Sequence, residues 1–311
     1  MYFEIGVQSS KGRRRSSNED SVAGCVPRER QTVCRMGAIF AVADGMAAHA
    51  SRRSASRLAV QTVVGEYYRG FLHEPEDSLR RALSLANRRI RAGEEARALS
   101  GPRGTTLVAA VIRGHDLLVA NVGDSRAYVL RGSQILRLTR DHSWTAEALA
   151  MGALTAREAA RHPWRHVVTR ALGTRSVVQV DIFRHQVHPL DILLLCSDGL
   201  YRCISDREIR TIANRHRPLQ AARKLAQLAV RRRSADDVTV LMVRVAPQEP
   251  LRRVAGRQVP ARARGGAKSP PSAASRRRPV PDGLHELARV MGGLSLAFLV
   301  IFAVMFWLGG T

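Results

Sequence analysis

The segment GAIFAVADGM, residues 37–46, joins an apolar run to a carboxylate and a glycine. The segment ILLLCSDGL, residues 192–200, repeats that design further along the chain. A short apolar run next to turn residues is typical of a strand buried in a sheet. The two runs end at Asp44 and Asp198. They therefore predict a sheet protein whose strands carry acidic side chains to an exposed rim.

The same alternation of apolar runs and turns continues over residues 1–247, which we interpret as one α/β (α+β) domain. Short connections such as Arg113-Gly114-His115-Asp116 indicate antiparallel hairpins. The segment Asp141–Gly173 has two short helical pieces and is predicted to form a flap over a surface. The predicted strands are Tyr2–Gln8, Gly37–Ala43, Thr105–Arg113, Leu117–Val122, Ala127–Arg131, Val177–His185, Asp191–Cys196 and Val238–Val245. The predicted helices are Ser51–Tyr68, Glu76–Ala98, Asp206–His216 and Leu219–Arg232.

The composition excludes several classes of protein. The 50 Lys and Arg against 26 Asp and Glu give a net charge of +24, which suits either nucleic acid or an anionic membrane surface. No helix-turn-helix, zinc-finger or RNA-binding signature accompanies the charge, so we expect no specific nucleic-acid partner. The four cysteines form no Cys-x-x-Cys pair, which argues against zinc and disulfides and fits a reducing, cytosolic setting.

The composition changes abruptly after the domain. Residues 248–289 are rich in Pro, Arg, Ala, Gly and Ser and are predicted to be a flexible basic linker. Residues 290–308, VMGGLSLAFLVIFAVMFWL, carry no charge and come close to the ~20 residues needed to cross a bilayer. This pattern predicts a C-terminal transmembrane helix. The Arg-rich linker would stay on the cytoplasmic side, which places the domain on the cytoplasmic face of the cell (inner) membrane.

Acidic residues are few in the domain, and several stand at predicted strand ends beside Gly or Asn. Converging carboxylates repel one another unless cations lie between them. Hard divalent ions such as Mg²⁺ and Mn²⁺ prefer oxygen ligands, and no His/Cys cluster argues for zinc. The acidic motifs are Asn18-Glu19-Asp20, Asp44-Gly45, Gly123-Asp124-Ser125, Ser197-Asp198-Gly199 and Asp236-Asp237.

Taken in order, the motifs resemble the bacterial type 2C metal-dependent serine/threonine protein phosphatases. The resemblance covers nearly all of residues 1–245. Besides the acidic motifs, it is carried by Gly6, Gly12, Arg15, Met46, Gly104-Thr105-Thr106, Arg126, Leu138-Thr139-Arg140-Asp141-His142, Leu200 and Val238-Thr239-Val240.

The resemblance implies a four-layer α-β-β-α sandwich, in which two antiparallel sheets are flanked by helices. It also implies two Mn²⁺ or Mg²⁺ ions at one edge that supply a bridging hydroxide for attack on phosphorus. By similarity, Asp44 bridges the ions and Gly45 offers its carbonyl. Asp198 and Asp236 bind the first ion. The remaining assignments, all by similarity, are Glu19 or Asp20 contacting the ions directly or through water, and Asp124 supporting a third, weaker ion.

Two further roles concern phosphate and proton transfer. Arg15 matches the family's phosphate-binding arginine and would clamp the phosphoryl oxygens with its fork of donors. His49, close after Asp44-Gly45, is the first candidate for the general acid, and His142 is the second. Cys196 ends an apolar strand and lies in no phosphatase cysteine motif, so we expect no cysteine nucleophile.

The resemblance implies hydrolysis of phosphoserine and phosphothreonine in proteins, opposing a bacterial Ser/Thr kinase. A catalytically impaired phosphoprotein-binding or scaffold module with the same fold is the alternative. Three departures from the family pattern bear on this choice. Ala47-Ala48 stand where relatives usually have glycines, Arg52-Arg53 replace small or acidic residues, and Asp237 replaces Asn. None removes a predicted metal ligand.

Overall fold

The apolar runs of the domain pair into two five-stranded antiparallel sheets, with helices on their outer faces. The computed structural model describes residues 2–46, 52–69, 73–95 and 104–246. The strands are β1 (Tyr2–Ser10), β2 (Ser21–Cys25), β3 (Ala38–Ala43), β4 (Gly45–Met46), β5 (Gly104–Thr105), β6 (Leu107–Arg113), β7 (Asp116–Val122), β8 (Arg126–Arg131), β9 (Gln134–Arg137), β10 (Asp181–Gln186), β11 (Ile192–Cys196) and β12 (Val238–Ala246). The helices are α1 (Arg30–Met36), α2 (Arg52–Arg69), α3 (Pro75–Glu95), α4 (Trp144–Ala150), α5 (Ala156–Arg161), α6 (Asp198–Tyr201), α7 (Asp206–Arg215) and α8 (Pro218–Arg231).

The strand order brings distant parts of the chain together. One sheet runs β1-β12-β11-β8-β9 and the other β10-β7-β6-β3-β2, while β4 and β5 form a small two-stranded sheet. The first and last strands of the domain pair along their whole length, from Tyr2 opposite Ala246 to Ser10 opposite Val238. This register sets the loop that follows Ser10 beside the turn that precedes Val238.

Alternation along the central strands builds three apolar layers. In β3, Phe40 faces the core between the two sheets, whereas Ile39 faces the core under α2 and α3. In β11, Leu193 faces the inter-sheet core and Leu194 the core under α6, α7 and α8. Strands covered on both faces have no polar side, which explains their uninterrupted apolar sequence. The prediction of two antiparallel sheets flanked by helices is confirmed.

The sequence did not predict five of the described elements. All five are short, and they are β2, β4, β9, α1 and α6. Strand β10 begins at Asp181 rather than Val177, whose side chain is exposed. The flap has the two predicted helical pieces, α4 and α5.

The membrane prediction concerns a different part of the chain. The linker at 248–289 and the apolar segment at 290–308 lie outside the described residues. Within the described ranges, no helix has the length and apolar character required to span a bilayer.

Candidate active site

A cavity of about 430 Å³ is lined by residues at the strand ends of both sheets, in the flap and in the turn before β12. It brings together most of the predicted site residues, which are far apart in the sequence. Its lining consists of Arg14, Arg15, Asp44, Gly45, Met46, Thr106, Asp124, His166, Val168, Asp198, Ala235 and Asp236. Glu19 and Asp20 are buried and do not belong to this lining.

Asp44 is fixed at the end of β3 by its backbone. Its carbonyl accepts hydrogen bonds from the Thr106 N–H at 2.9 Å and the Thr105 hydroxyl at 2.8 Å, while its N–H donates to Thr106 Oγ1. No described residue donates a hydrogen bond to its carboxylate. Burial raises the pKa of Asp44 well above its ordinary value, and the charges of Asp20 and Asp198 add to the effect. The backbone of Asp44 is therefore fixed, and its carboxylate lies in a buried site where neighbouring carboxylates repel it.

Asp198 and Asp20 are two further buried acids. Asp198 opens α6 directly after β11, and the Ser197 hydroxyl next to it donates to Asp20 Oδ2 at 2.7 Å. Burial raises the pKa of Asp198 to about 8 and that of Asp20 to about 7, and nearby carboxylates contribute. Among the residues that the structure describes, the buried Oδ1 atom of each has no hydrogen-bond partner. A buried acceptor of this kind is costly unless a cation or donor reaches it.

Asp236 and Asp237 have different roles despite being adjacent. Asp236 lines the cavity and accepts two hydrogen bonds from Arg15, from Nε and Nη2, each at 2.7 Å. Asp237 is 1% exposed and turns away to accept the backbone N–H groups of Gly12 and Glu19, each at 2.8 Å. The carboxylate that replaces the family's usual Asn thus holds the loop that carries Arg15.

Close backbone contact makes this arrangement possible. A Cβ atom on Gly12 would lie 2.3 Å from the backbone carbonyl carbon of Asp236. The Arg13 N–H also donates to the Ser234 carbonyl at 2.9 Å. The absence of a side chain at Gly12 therefore allows the loop after β1 to lie directly on the turn before β12.

Asp124 is held by two residues that sequence analysis did not select. Arg202 Nη2 donates to Asp124 Oδ2 at 3.1 Å, and the Tyr201 hydroxyl donates to the Asp124 carbonyl at 3.0 Å. Arg202 Nε also lies 2.7 Å from Asp198 Oδ2 as an ion pair. The spacing of Asp198 and Arg202, four residues apart in a helical segment, could have indicated this pair.

The histidines differ in their position relative to the cavity. His142 is buried, its Nδ1 accepts the Gly123 N–H at 3.1 Å, and its Nε2 lies 3.1 Å from Asp181 Oδ2. It does not line the cavity, so its role as second candidate for the general acid gains no support. His49 lies outside the described residues. His166, in the flap, does line the cavity, and burial together with Arg202 lowers its pKa. No motif marked it in the sequence.

The donor set fits metal ions by its chemistry rather than by its present side-chain arrangement. As the side chains stand in the described part of the chain, no three His, Cys, Asp or Glu residues are arranged to enclose an ion. Instead, Arg15 pairs with Asp236, and Arg202 pairs with Asp198 and Asp124. The chemistry nevertheless suits Mg²⁺ or Mn²⁺, because the donors are oxygens and two of these oxygens have no hydrogen-bond partner among the described residues. Burial, and after it the charge of the neighbouring carboxylates, raises the pKa values of Asp44 and Asp198. The individual ligand assignments stay predictions.

Comparison with known proteins agrees with this site. The family model described as Protein phosphatase 2C matches residues 7–233. The serine/threonine phosphatase stp of Listeria welshimeri is 33% identical over 241 residues, covering 76% of this chain and 93% of that protein.

Two solved structures extend the comparison. The serine/threonine phosphatase Stp1 of Staphylococcus aureus has a TM-score of 0.71 at 28% identity, covering 79% of this chain and 96% of that one. The catalytic domain of the phosphatase PstP in complex with two manganese ions has a TM-score of 0.66 at 30% identity, covering 79% and 99%. The fold, the ordered motifs and the family match agree, and the chain belongs to the protein phosphatase 2C family.

Proposed function

We propose that this protein hydrolyses phosphoserine and phosphothreonine esters in proteins, with two Mn²⁺ or Mg²⁺ ions held at the cavity. The observation that carries the proposal is the convergence of Asp44, Asp198, Asp236 and Arg15 on one cavity. The relative stp is named a serine/threonine phosphatase, and the PstP catalytic domain is described with two manganese ions. All the predicted carboxylates are retained, so a scaffold without catalysis is not favoured.

The carboxylates divide the work of binding the ions. Asp44, Asp198 and Asp236 would be the direct ligands, with the Gly45 carbonyl beside Asp44, because these groups line the cavity. Asp20 and Glu19 would act from behind the cavity wall. When bound, the ions would lower the pKa of water into the neutral range and polarise the phosphoryl oxygens.

Arg15 would hold the phosphoryl group. Its planar fork now binds the two oxygens of Asp236, and the same geometry matches two oxygens of a phosphate. If Asp236 turns to a cation, the fork of Arg15 becomes free at the cavity surface. Hydrogen bonding and the charge of Asp236 raise the pKa of Arg15 despite its partial burial, so it stays charged.

The leaving alkoxide needs a proton donor, for which we propose a histidine. We assign no nucleophilic role to Cys196. His49 remains the proposed general acid, while His166 is a described histidine that reaches the cavity. Cys196 is fully buried in β11, and burial raises the pKa of its thiol to about 12. A thiol of this kind is a poor nucleophile near neutral pH.

A direct assay tests the proposed function. The purified full-length protein is given a phosphothreonine peptide with Mn²⁺ or with EDTA, and phosphate release is measured. We expect Mn²⁺-dependent hydrolysis that is lost in Asp198→Asn and kept in Asp116→Asn, a matched change at an exposed carboxylate. Equal hydrolysis in EDTA, or full activity of Asp198→Asn, would refute the proposal.

The cellular setting is also a proposal, supported by sequence alone. We propose that residues 290–308 anchor the protein in the cell membrane as a single-pass protein with its catalytic domain cytoplasmic. There it would oppose a Ser/Thr kinase on shared phosphoprotein substrates. Deleting residues 284–311 should move the protein from the membrane fraction to the supernatant after ultracentrifugation. Recovery of the full-length chain in the supernatant would contradict the anchor.

A further inference from the structure

The side chain of Arg202 lies where two acids of the site meet. Its Nη2 donates to Asp124 Oδ2 at 3.1 Å, and its Nε lies 2.7 Å from Asp198 Oδ2. Asp124 is only 3% exposed. A buried carboxylate is costly unless a positive charge is close to it. One guanidinium thus supplies positive charge to both acids at once.

The position of Arg202 is fixed from several sides. Its Nη1 and Nη2 both donate to the Arg165 carbonyl of the flap, each at 3.2 Å. On the opposite side, the neighbouring Tyr201 donates to the Asp124 carbonyl. Arg126 lies over the Tyr201 ring, with its guanidinium carbon 3.4 Å from the ring centroid. Displacing the guanidinium would therefore break contacts with Asp124, Asp198 and the flap together.

The other arginine of the site differs in this respect. Arg15 lines the cavity, and besides Asp236 it contacts Glu19, with Nη1 at 3.9 Å from Oε2. Arg202 does not belong to the cavity lining; its Nη groups donate to Asp124 and to the Arg165 carbonyl, and its Nε forms an ion pair with Asp198. A substrate phosphate or an ion entering the cavity would meet Arg15 first. Arg202 is better placed to remain where it is.

We propose that Arg202 is the permanent cation of Asp124 in this protein, so that no third divalent ion binds there. This inference rests on the proposed metal centre, whose direct ligands include Asp198. Mg²⁺ sheds its water reluctantly. A hydrated ion at Asp124, whether Mg²⁺ or Mn²⁺, would have to displace a guanidinium that is largely buried and already held by Asp124 and Asp198. The protein therefore binds two ions, and Asp124 positions Arg202 and the flap rather than a metal.

Counting bound ions tests this directly. The full-length protein is stripped with EDTA and titrated with Mn²⁺, and the ions per chain at saturation are counted by equilibrium dialysis with elemental analysis. We expect two ions in the wild type and three in Arg202→Ala and Arg202→Gln, because Asp124 then lacks its cation. Arg207→Ala, a matched change at an exposed arginine of α7, should keep two.

A variant of Asp124 itself keeps the test decisive even if the Arg202 variants fold poorly. Asp124→Asn in the wild-type background should still bind two ions, and in the Arg202→Ala background it should lower the count from three to two. Three ions in the wild type with one lost in Asp124→Asn would overturn the inference, as would an unchanged count in folded Arg202→Ala. If neither protein bound Mn²⁺, the proposed metal centre itself would fail, which is a distinguishable result.

Discussion

Replacing Asp237 by Asn changes a single side-chain group and tests how the loop that carries Arg15 is held. In the structure, Oδ1 accepts the Gly12 N–H and Oδ2 the Glu19 N–H, each at 2.8 Å, in a site that is 1% exposed. Asparagine has only one acceptor oxygen. Its NH₂ group would face one of the two backbone donors, so one hydrogen bond is lost and one buried N–H is left without a partner.

The size of the effect follows from those two losses. A hydrogen bond to a charged group contributes about 1.5–3 kcal/mol, and leaving a buried donor unpaired costs about 1–3 kcal/mol. The two terms overlap, so we expect Asp237→Asn to lower the free energy of unfolding by about 2–3 kcal/mol when Mn²⁺ neutralises the surrounding acids. For a domain of this size, that corresponds to a fall in Tm of about 4–12 °C.

Thermal unfolding and hydrogen exchange measure the effect separately. The Tm of Asp237→Asn is compared with that of the wild type and of Asp116→Asn, which alters an exposed carboxylate. Asp237→Ala leaves both donors unpaired and should be less stable than Asp237→Asn. Exchange of the backbone amides in residues 11–20 should accelerate in both Asp237 variants. An unchanged Tm together with unchanged exchange in that loop would refute the reasoning.

Three further changes test the electrostatics and packing of the site. In EDTA, the free energy of unfolding should fall as pH rises from about 4 to 8. Burial raises the pKa of Asp20 to about 7 and that of Asp198 to about 8 in the folded chain, whereas an aspartate in the unfolded chain has a pKa of about 3.9. Over this pH range the folded chain therefore binds protons that the unfolded chain has lost. Mn²⁺ should remove this trend, and a flat profile in EDTA would count against the buried acids. Arg15→Lys should lower kcat/KM for a phosphopeptide by about tenfold to a hundredfold, because a point charge replaces a bidentate contact that contributes about 1.5–3 kcal/mol. A kcat/KM equal to that of the wild type would exclude phosphate binding by Arg15. Gly199→Ala should lower the free energy of unfolding by about 1–3 kcal/mol, because its Cβ would lie 2.1 Å from a backbone carbonyl oxygen. The control Gly65→Ala adds a Cβ in open space on α2 and should not destabilise the fold. Equal Tm values for the two variants would show that the contact at Gly199 is not tight.

Much of the fold could be predicted because its central strands are buried on both faces. The apolar runs of β3 and β11 and the tight turn at 113–116 were sufficient to predict antiparallel strands in one domain. Strands β2 and β9 were not predicted, because small or alternating polar residues give only a weak strand pattern in the sequence. Pairing with neighbouring strands determines their conformation instead.

The site could be predicted to the level of its carboxylates and Arg15, but not to the level of their partners. From the sequence, Asp237 is only a replacement for the Asn that relatives usually have, whereas in the structure its oxygens accept two backbone N–H groups. Residue type does not show which backbone amides will approach a side chain. His166 was missed for a related reason, because the flap that carries it has no apolar period linking it to the cavity.

The proposed metal centre requires Asp44 to hold a pair of divalent ions together with Asp198 and Asp236. Electron paramagnetic resonance of the full-length protein loaded with two equivalents of Mn²⁺ measures whether such a pair forms. Ions that share the Asp44 carboxylate should be magnetically coupled, and Asp44→Asn should show only isolated Mn²⁺. A spectrum of isolated Mn²⁺ in the wild type, or an unaltered coupled spectrum in Asp44→Asn, would contradict the account.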